Sequence, residues 1–521
     1  MGGVRVAPIV VVSGVRGRQR SPRGLVSGRA RGSPAAGELP CVPALWREGR
    51  AWVLFVSTRR ESPLVTVNAS PTRTTAGPGV VRVSVGIDAA ITAKHHVSVR
   101  ETNADGSVSM HRFVVPPTLT GLSQLSRRLA RYPGVVAVAE PTSMTWLPLA
   151  LSLSSGGGRL ALVGTRHSAR LRGAISGKNK SDVIDADVLA RADEVFDLPR
   201  LVLPSPAELA LRRAVTRRAS AVIDANRCWR RLVSLARWAF PDVWTAFAGS
   251  LATAKAVLGR WPHLDQLACA RRASLTAVVA EHTRSVADVP DRVEQIRSAA
   301  RDWAQFWAGR LDLDALAWEV SEHLTDLAAG NDRVDRAAEQ ATMYWERLYG
   351  DDALLVSLPG MGPVTAPAVR AFLGDGSRFD TAKAVANYVG ITPSNWSSGT
   401  VNQPSRAITK EGPAALRLAF YLAGNAARRT DPQLAALYHR LMTRAGHCHS
   451  QATIAVARKL AERTWTVLTR GTPYRLQDPD GAPITSRAAK VLIAQQFTVP
   501  NEVRERARAH TAATHRSKLT R

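Results

Sequence analysis

The side chains of this 521-residue chain that could do joint chemistry are four carboxylates in a fixed order. Asp88 closes the alternating run Val81-Arg-Val-Ser-Val-Gly-Ile-Asp88, and Glu140 follows the continuous apolar run 135–139. Asp182 and Asp185, spaced i and i+3 at the start of a helical segment, share one face. Taken singly, each acid has an ordinary explanation as a strand-end cap or a partner of the helix dipole. Brought together they repel one another and need cations. Two Mg2+ ions would offset that charge and could flank a scissile phosphate. Lys178 and Lys180 stand beside the pair, either as phosphate contacts or as exposed loop residues. Asp187 and Asp193 fall at other helical positions and are left out of the set.

A second group lies far downstream in Asn395-Trp-Ser397-Ser398-Gly399, Arg406-Ala-Ile-Thr-Lys410-Glu-Gly412 and Arg417. A Ser-Ser-Gly loop by itself says little. Its interest comes from Arg406, Lys410 and Arg417, which could hold a phosphate near a serine hydroxyl. Upstream, Leu358-Pro-Gly360-Met-Gly362-Pro363 has the form of a helix-hairpin-helix turn. Gly360 and Gly362 permit the bend, and the next helix offers free amides to a phosphate. Any tight helix–helix connection also favours Pro-Gly, so the motif is moderately specific.

The elements that must position these groups follow from periodicity. Three strands are expected at 81–88, 96–101 and 111–115, then a helix over 118–131 with Leu119, Leu122, Leu125 and Leu129 on one side. The run 135–139 reads as a buried central strand. A helix from about Ser143, a strand at 160–164 and a helix from about Ser181 complete an α/β unit over 80–200. That order is the one of an RNase H-like (RuvC-like) mixed sheet, in which the first and fourth strands are neighbours. Residues 201–350 read as a helical or coiled-coil insert for assembly and spacing. Residues 351–475 read as a mostly α domain, and 476–521 as a basic tail. Residues 1–79, rich in Gly, Pro, Ser and Arg, are expected to lack stable order, with translation beginning near Val80.

The net charge of +28 points to a polyanionic partner, nucleic acid before membrane, because each neutralised phosphate releases a counterion. No segment approaches the ~20 apolar residues that cross a bilayer. Cys41, Cys228, Cys269 and Cys448 form no CxxC pair, which suits a reducing cytoplasm. His447-Cys448-His449 has no standard zinc spacing and reads as an exposed loop.

With these motifs in place, the chain resembles the insertion-sequence 110 transposases, which are related to the Piv and MooV DNA invertases. The motifs that carry the resemblance are Gly86-Ile87-Asp88, Ala139-Glu140-Pro141, Lys180-Ser-Asp182-Val-Ile-Asp185-Ala186, Leu358-Pro-Gly-Met-Gly362 and Ser398-Gly399 with Ile408-Thr-Lys410-Glu-Gly412. The resemblance implies a DEDD metal tetrad at Asp88, Glu140, Asp182 and Asp185, and a nucleophilic serine at Ser398, with Ser397 as the register alternative. It also implies a covalent phosphoserine link to DNA, action on element ends and target as a dimer or tetramer, and guidance by a structured bridge RNA. The long insert favours a composite site between subunits. Two other readings stay open: a RuvC-like nuclease or junction resolvase without a serine nucleophile, and a non-catalytic nucleic-acid-binding protein.

Overall fold

The computed structural model describes residues 79–177, 179–198, 201–283, 287–394, 396–398, 401–403 and 407–509, with the side chains of 396–398 and 401–403 outside the description. The extension 1–78 lies outside the described residues. The first domain begins with β1 (Val80–Asp88), β2 (His95–Asn103) and β3 (Val108–Val115). It continues with α1 (Leu119–Leu129), β4 (Val136–Ala139), α2 (Trp146–Ser155), β5 (Arg159–Leu162), α3 (Thr165–Ser176) and α4 (Asp182–Val195). The strands form one mixed sheet in the order β3-β2-β1-β4-β5. β1, β2 and β3 pair antiparallel, whereas β4 and β5 join in parallel after crossovers.

Strand periodicity sorts the side chains onto two faces. Val85, Ile87, Ala137, Ala139, Leu160 and Leu162 turn towards Leu125 and Leu129 of α1 and Trp146, Leu149 and Leu153 of α2. Val138 and Ala161 turn the other way, onto Leu171 of α3 and Val188, Leu189 and Ala192 of α4. Both faces are covered, so the central strands read as continuous apolar runs.

One residue sets how closely α4 approaches. A Cβ on Gly86 would stand 2.1 Å from the Ala186 carbonyl oxygen and 2.2 Å from the Ala190 amide nitrogen. The helix therefore lies backbone-to-backbone on β1, which only glycine allows. Acids of α4 then fasten it to the sheet. Asp187 accepts from Ser98 Oγ at 2.5 Å and from Arg112, while Asp193 takes Arg82 and Glu194 takes Arg100.

The remainder is helical: α5 (Pro206–Ala239), α6 (Pro241–Ala246), α7 (Leu251–Arg260), α8 (Leu264–Ala268), α9 (Arg272–Glu281), α10 (Val289–Trp307) and α11 (Leu313–Tyr349). Ser220–Val334 form one compact unit, and the described residues before Ser220 and after Val334 belong to another. Within the insert unit, Trp229, Leu232, Val257, Leu275, Val293, Ile296 and Val320 build a separate core. Trp307 Nε1 donates to the Ala239 carbonyl and Trp303 Nε1 to Asp242, which accounts for two of the many tryptophans. The unit is narrower than the span 201–350, because Leu211 and Val215 of α5 and Ala341 and Trp345 of α11 join the C-terminal core.

That C-terminal core belongs to α12 (Ala353–Val356), α13 (Ala366–Leu373), α14 (Ala382–Val389), the hairpin β6 (Trp396–Ser398) and β7 (Val401–Gln403), α15 (Ala414–Ala427), α16 (Pro432–Thr443), α17 (His449–Arg470) and α18 (Ser486–Gln496). A buried ion pair, Arg370 to Asp352 at 2.7 and 2.5 Å, ties α13 to the N-terminus of α12. Segment 476–509, read from sequence as a basic tail, is structured. Residues 501–509 are helical, and Val503 and Ala507 pack on the C-terminal core.

Substitution Gly86→Ala is expected to destabilise the first domain by about 3 kcal/mol, the scale of forced overpacking. Hydrogen exchange checks it: α4 amides should lose protection while the insert helices keep theirs, and wild-type protection of α4 would refute the close-approach argument.

Candidate active site

Strand parity predicts where the acids meet. Asp88 follows Gly86 by two residues and so faces α4. Ile87 pairs with Ala139 across the parallel β1–β4 ladder, which places Asp88 and Glu140 side by side as the two strands end. Glu140 points to the same face, since Ser168 Oγ of α3 donates to it at 2.5 Å. Ser181 caps α4 by accepting from the Ile184 amide, which fixes the first turn and with it Asp182 and Asp185. Asp185 is nearly buried and accepts from Arg172 Nη1 of α3 at 2.7 Å. Asp182 is largely exposed and stands 3.8 Å from His96 Nε2, on the residue of β2 that pairs with Asp88.

The other three acids all act on Asp88. The Asp88 carboxyl is pushed up from 3.8 to about 6, first by burial, then by Asp185, Asp182 and Glu140, with His96 acting the other way. An acid that keeps its proton to about pH 6 through burial and acidic neighbours marks a site short of positive charge. Its oxygen-only donors suit a hard divalent ion such as Mg2+. As arranged here, each neighbour is engaged elsewhere, and among the described residues no three His, Cys, Asp or Glu side chains are set to hold an ion. Arg172 and Ser168 each engage one carboxylate oxygen, Oδ1 of Asp185 and Oε1 of Glu140.

α3 is the element that sequence reading missed, together with Ser168, Arg172 and His96. Its segment carries only Leu171 and Ile175 as large apolar residues, so its helical period is faint. His96 had a usable signal, since a tight antiparallel return from Asp88 brings it opposite. α3 also reaches the C-terminal domain, where Arg166 pairs with Glu411 at 2.6 Å.

The downstream residues sit around one hairpin. Gly390 and Gly412 press together: a Cβ on Gly412 would meet the Tyr388 carbonyl oxygen at 1.7 Å, and one on Gly390 the Glu411 amide at 2.8 Å. Arg417, half-buried, donates to the carbonyls of Gly412 and Val389 at 3.1 and 3.3 Å and locks that junction. From it the chain runs out and back through bonds between Thr409 and Thr392 and between Ser394 and Ala407, into β6 paired with β7. Ser397 and Ser398 lie in β6, opposite Asn402 and Val401. Lys410 is exposed at this junction, with φ of 55°, and Lys180 is exposed just before α4. Lys178 and Arg406 lie outside the described residues. In the 358–363 turn, Gly360 has φ of 83° and a Cβ there would strike the Ala423 carbonyl at 2.3 Å. The Gly362 amide donates to Thr365 Oγ1 at 2.9 Å. The turn therefore packs against α15, and one of its amides is already capped.

Two family models match the two ends of this arrangement. One, a transposase model of the IS110 DEDD type, covers residues 85–241, and the other, described as the IS116/IS110/IS902 transposase family, covers 352–439. Among similar proteins, the IS110 43.6 kDa protein of Streptomyces coelicolor is 26% identical over 68% of this chain and 86% of its own. The IS116 44.8 kDa protein of Streptomyces clavuligerus is 27% identical over 74% of this chain and 94% of its own. The pilin gene-inverting protein of Moraxella lacunata is 29% identical over 23% of this chain and 38% of its own. Both matched models are of transposases, one over the domain with the mixed sheet and one over the helical domain. The chain belongs to the IS116/IS110/IS902 transposase family.

The charge on Asp88 gives a signed prediction. Unfolded, the carboxyl ionises near 3.8; folded, it keeps its proton to about 6. The fold thus binds the extra proton between those values, and its stability falls as pH rises through them. Asp88→Asn removes the penalty. Without divalent metal the variant should gain on wild type between pH 4 and 6, ending about 1 kcal/mol more stable at pH 7.5 after allowance for screening at a half-exposed site. Denaturant melts across pH measure the difference, and a variant less stable than wild type at pH 7.5 would contradict the crowding.

Proposed function

We propose that this transposase cuts and rejoins DNA through Ser398, with divalent metal held by Asp88, Glu140, Asp182 and Asp185. The observation that carries the reading is the raised Asp88 carboxyl among three further acids, in the domain that matches the DEDD transposase model. The strand order and the parity of Asp88 and Glu140 support an RNase H-like assignment for the sheet. The succession of α12, the 358–363 turn and α13 supports a helix-hairpin-helix assignment, with open space where a Cβ on Gly362 would stand.

In this reaction the serine oxygen attacks a backbone phosphorus, losing its proton. The new O–P bond replaces the bond to the departing sugar oxygen, which leaves as a hydroxyl. Attack on phosphoserine by a sugar hydroxyl of another strand reverses the step and frees the serine, so no energy source is consumed. Bound metal would neutralise charge on the phosphate under attack. The chain's own part is placement: Ser168 orients Glu140, Arg172 holds Asp185, and the Gly390–Gly412 junction roots the hairpin that bears the serine. Arg417 supports that junction from within, while Lys410, Lys180 and Gly362 remain candidates for backbone contact. The relatives' names attach to insertion elements and to inversion of a pilin gene, which fits element ends and a target as substrates. The charge of +28 also accommodates a structured guide RNA. A homodimer or homotetramer would hold two strands for exchange.

Covalent trapping tests the reading. Full-length protein, Mg2+, labelled DNA spanning the element ends and transcripts of the flanking non-coding DNA should give a protein–DNA adduct that survives denaturing gels. Ser398→Ala and chelation should each reduce it at least ~100-fold, the scale of losing a nucleophile or metal, while Ser397→Ala keeps it. Omitting the transcripts tests guidance. Cut ends without adduct, unchanged in Ser398→Ala, would assign a metal-dependent nuclease instead.

A further inference from the structure

The C-terminal domain gathers arginines that the cutting chemistry does not use. Arg428 caps the end of α15 and Arg429 follows it. In 501–509, Val503 and Ala507 pack inward, which leaves Arg504 and Arg508, one turn apart, exposed on the flank. Arg428 lies 4.3 Å over the ring of Tyr438, and the Tyr438 hydroxyl meets His449 Nδ1 at 2.8 Å. After burial, the groups that act most on His449 are Arg428, Arg504, Arg429 and Arg508, all pushing its proton affinity below the usual histidine range. Arg504 also acts on Arg428 and on Tyr438. Among the described residues none of these four arginines is ion-paired, nor are Glu502 and Glu505 of the same helix.

Four like charges held together cost stability unless a polyanion covers them. Residues 220–334, by contrast, carry 14 Lys and Arg against 14 Asp and Glu. The positive excess therefore lies outside the insert, and here it is concentrated beside Tyr438 and His449. We infer that Arg428, Arg429, Arg504 and Arg508 form a phosphodiester-binding surface that grips the backbone of a nucleic acid without reading its sequence. This rests on the nucleic-acid reading above but uses none of its reacting residues. Duplex DNA and structured RNA share the chemistry.

The test compares wild type, Arg504→Gln/Arg508→Gln, Arg429→Gln and, as control, Arg230→Gln/Arg231→Gln on the exposed face of α5 in the insert. Each full-length protein is titrated with a random 30-base-pair duplex and with an RNA hairpin at several KCl concentrations, and melted to verify folding. Loss of two contacts should make the plot of log affinity against log salt shallower by about 2 for duplex, and Arg429→Gln by about 1. The control keeps the wild-type slope. A change confined to the duplex or to the RNA names which one the surface holds. Slopes unchanged on both, with wild type binding, overturn the surface alone. Failure of wild type to bind either polymer overturns this surface and the nucleic-acid reading together, whereas lost adduct with intact binding touches only the serine chemistry.

Discussion

Acids do not assemble at one edge of a sheet unless packing forces them to, because each added charge raises the cost of the next. Here the force is the contact between α4 and β1. Gly86 has no side chain, so the helix settles onto the strand and brings its first turn over Asp88. The cost appears in Asp88 itself, which holds its proton up to about pH 6. The rest of the first domain balances this. Asp187, Asp193 and Glu194, lower on the same helix, are matched by Arg112, Arg82 and Arg100 of the strands, so α4 is fastened at the positions that do not enter the edge.

α3 mediates between that edge and the helical half. Along its length it offers Arg166 to Glu411, Ser168 to Glu140 and Arg172 to Asp185. Arg172 supplies part of the positive charge that the acids lack. The C-terminal half relies on close backbone approach in the same way. Gly390 and Gly412 abut, Gly360 abuts α15, and the hairpin bearing Ser397 and Ser398 grows from the first of these contacts.

Charge is divided along the chain with a similar economy. The insert is neutral and built around its own tryptophan-rich core, whereas the cationic excess lies in the domains that carry the family matches and their flanks. The insert thus adds no net charge for contact with a polyanion.

Periodicity and local chemistry were enough to read the sheet. Alternation in 81–88, the apolar run 135–139 and the spacing of Asp182 and Asp185 each depend on neighbours within a few residues, and so they survive in a bare sequence. They located the strands and the α/β then helical division, and they singled out four acids as candidates. What they could not convey depended on contacts between residues far apart in the chain. α3, nearly devoid of apolar period, exists because it packs under the edge. Gly86 and Gly360 reveal their purpose only against Ala186 and Ala423. Arg417, a phosphate ligand by its company in sequence, is turned inward to two backbone carbonyls. Segment 476–509, polar enough to pass for a free tail, is held by Val503 and Ala507 on a core assembled from elsewhere. Spacing along a chain records local geometry, whereas which partner neutralises a charge or fills a gap is decided only when distant segments meet.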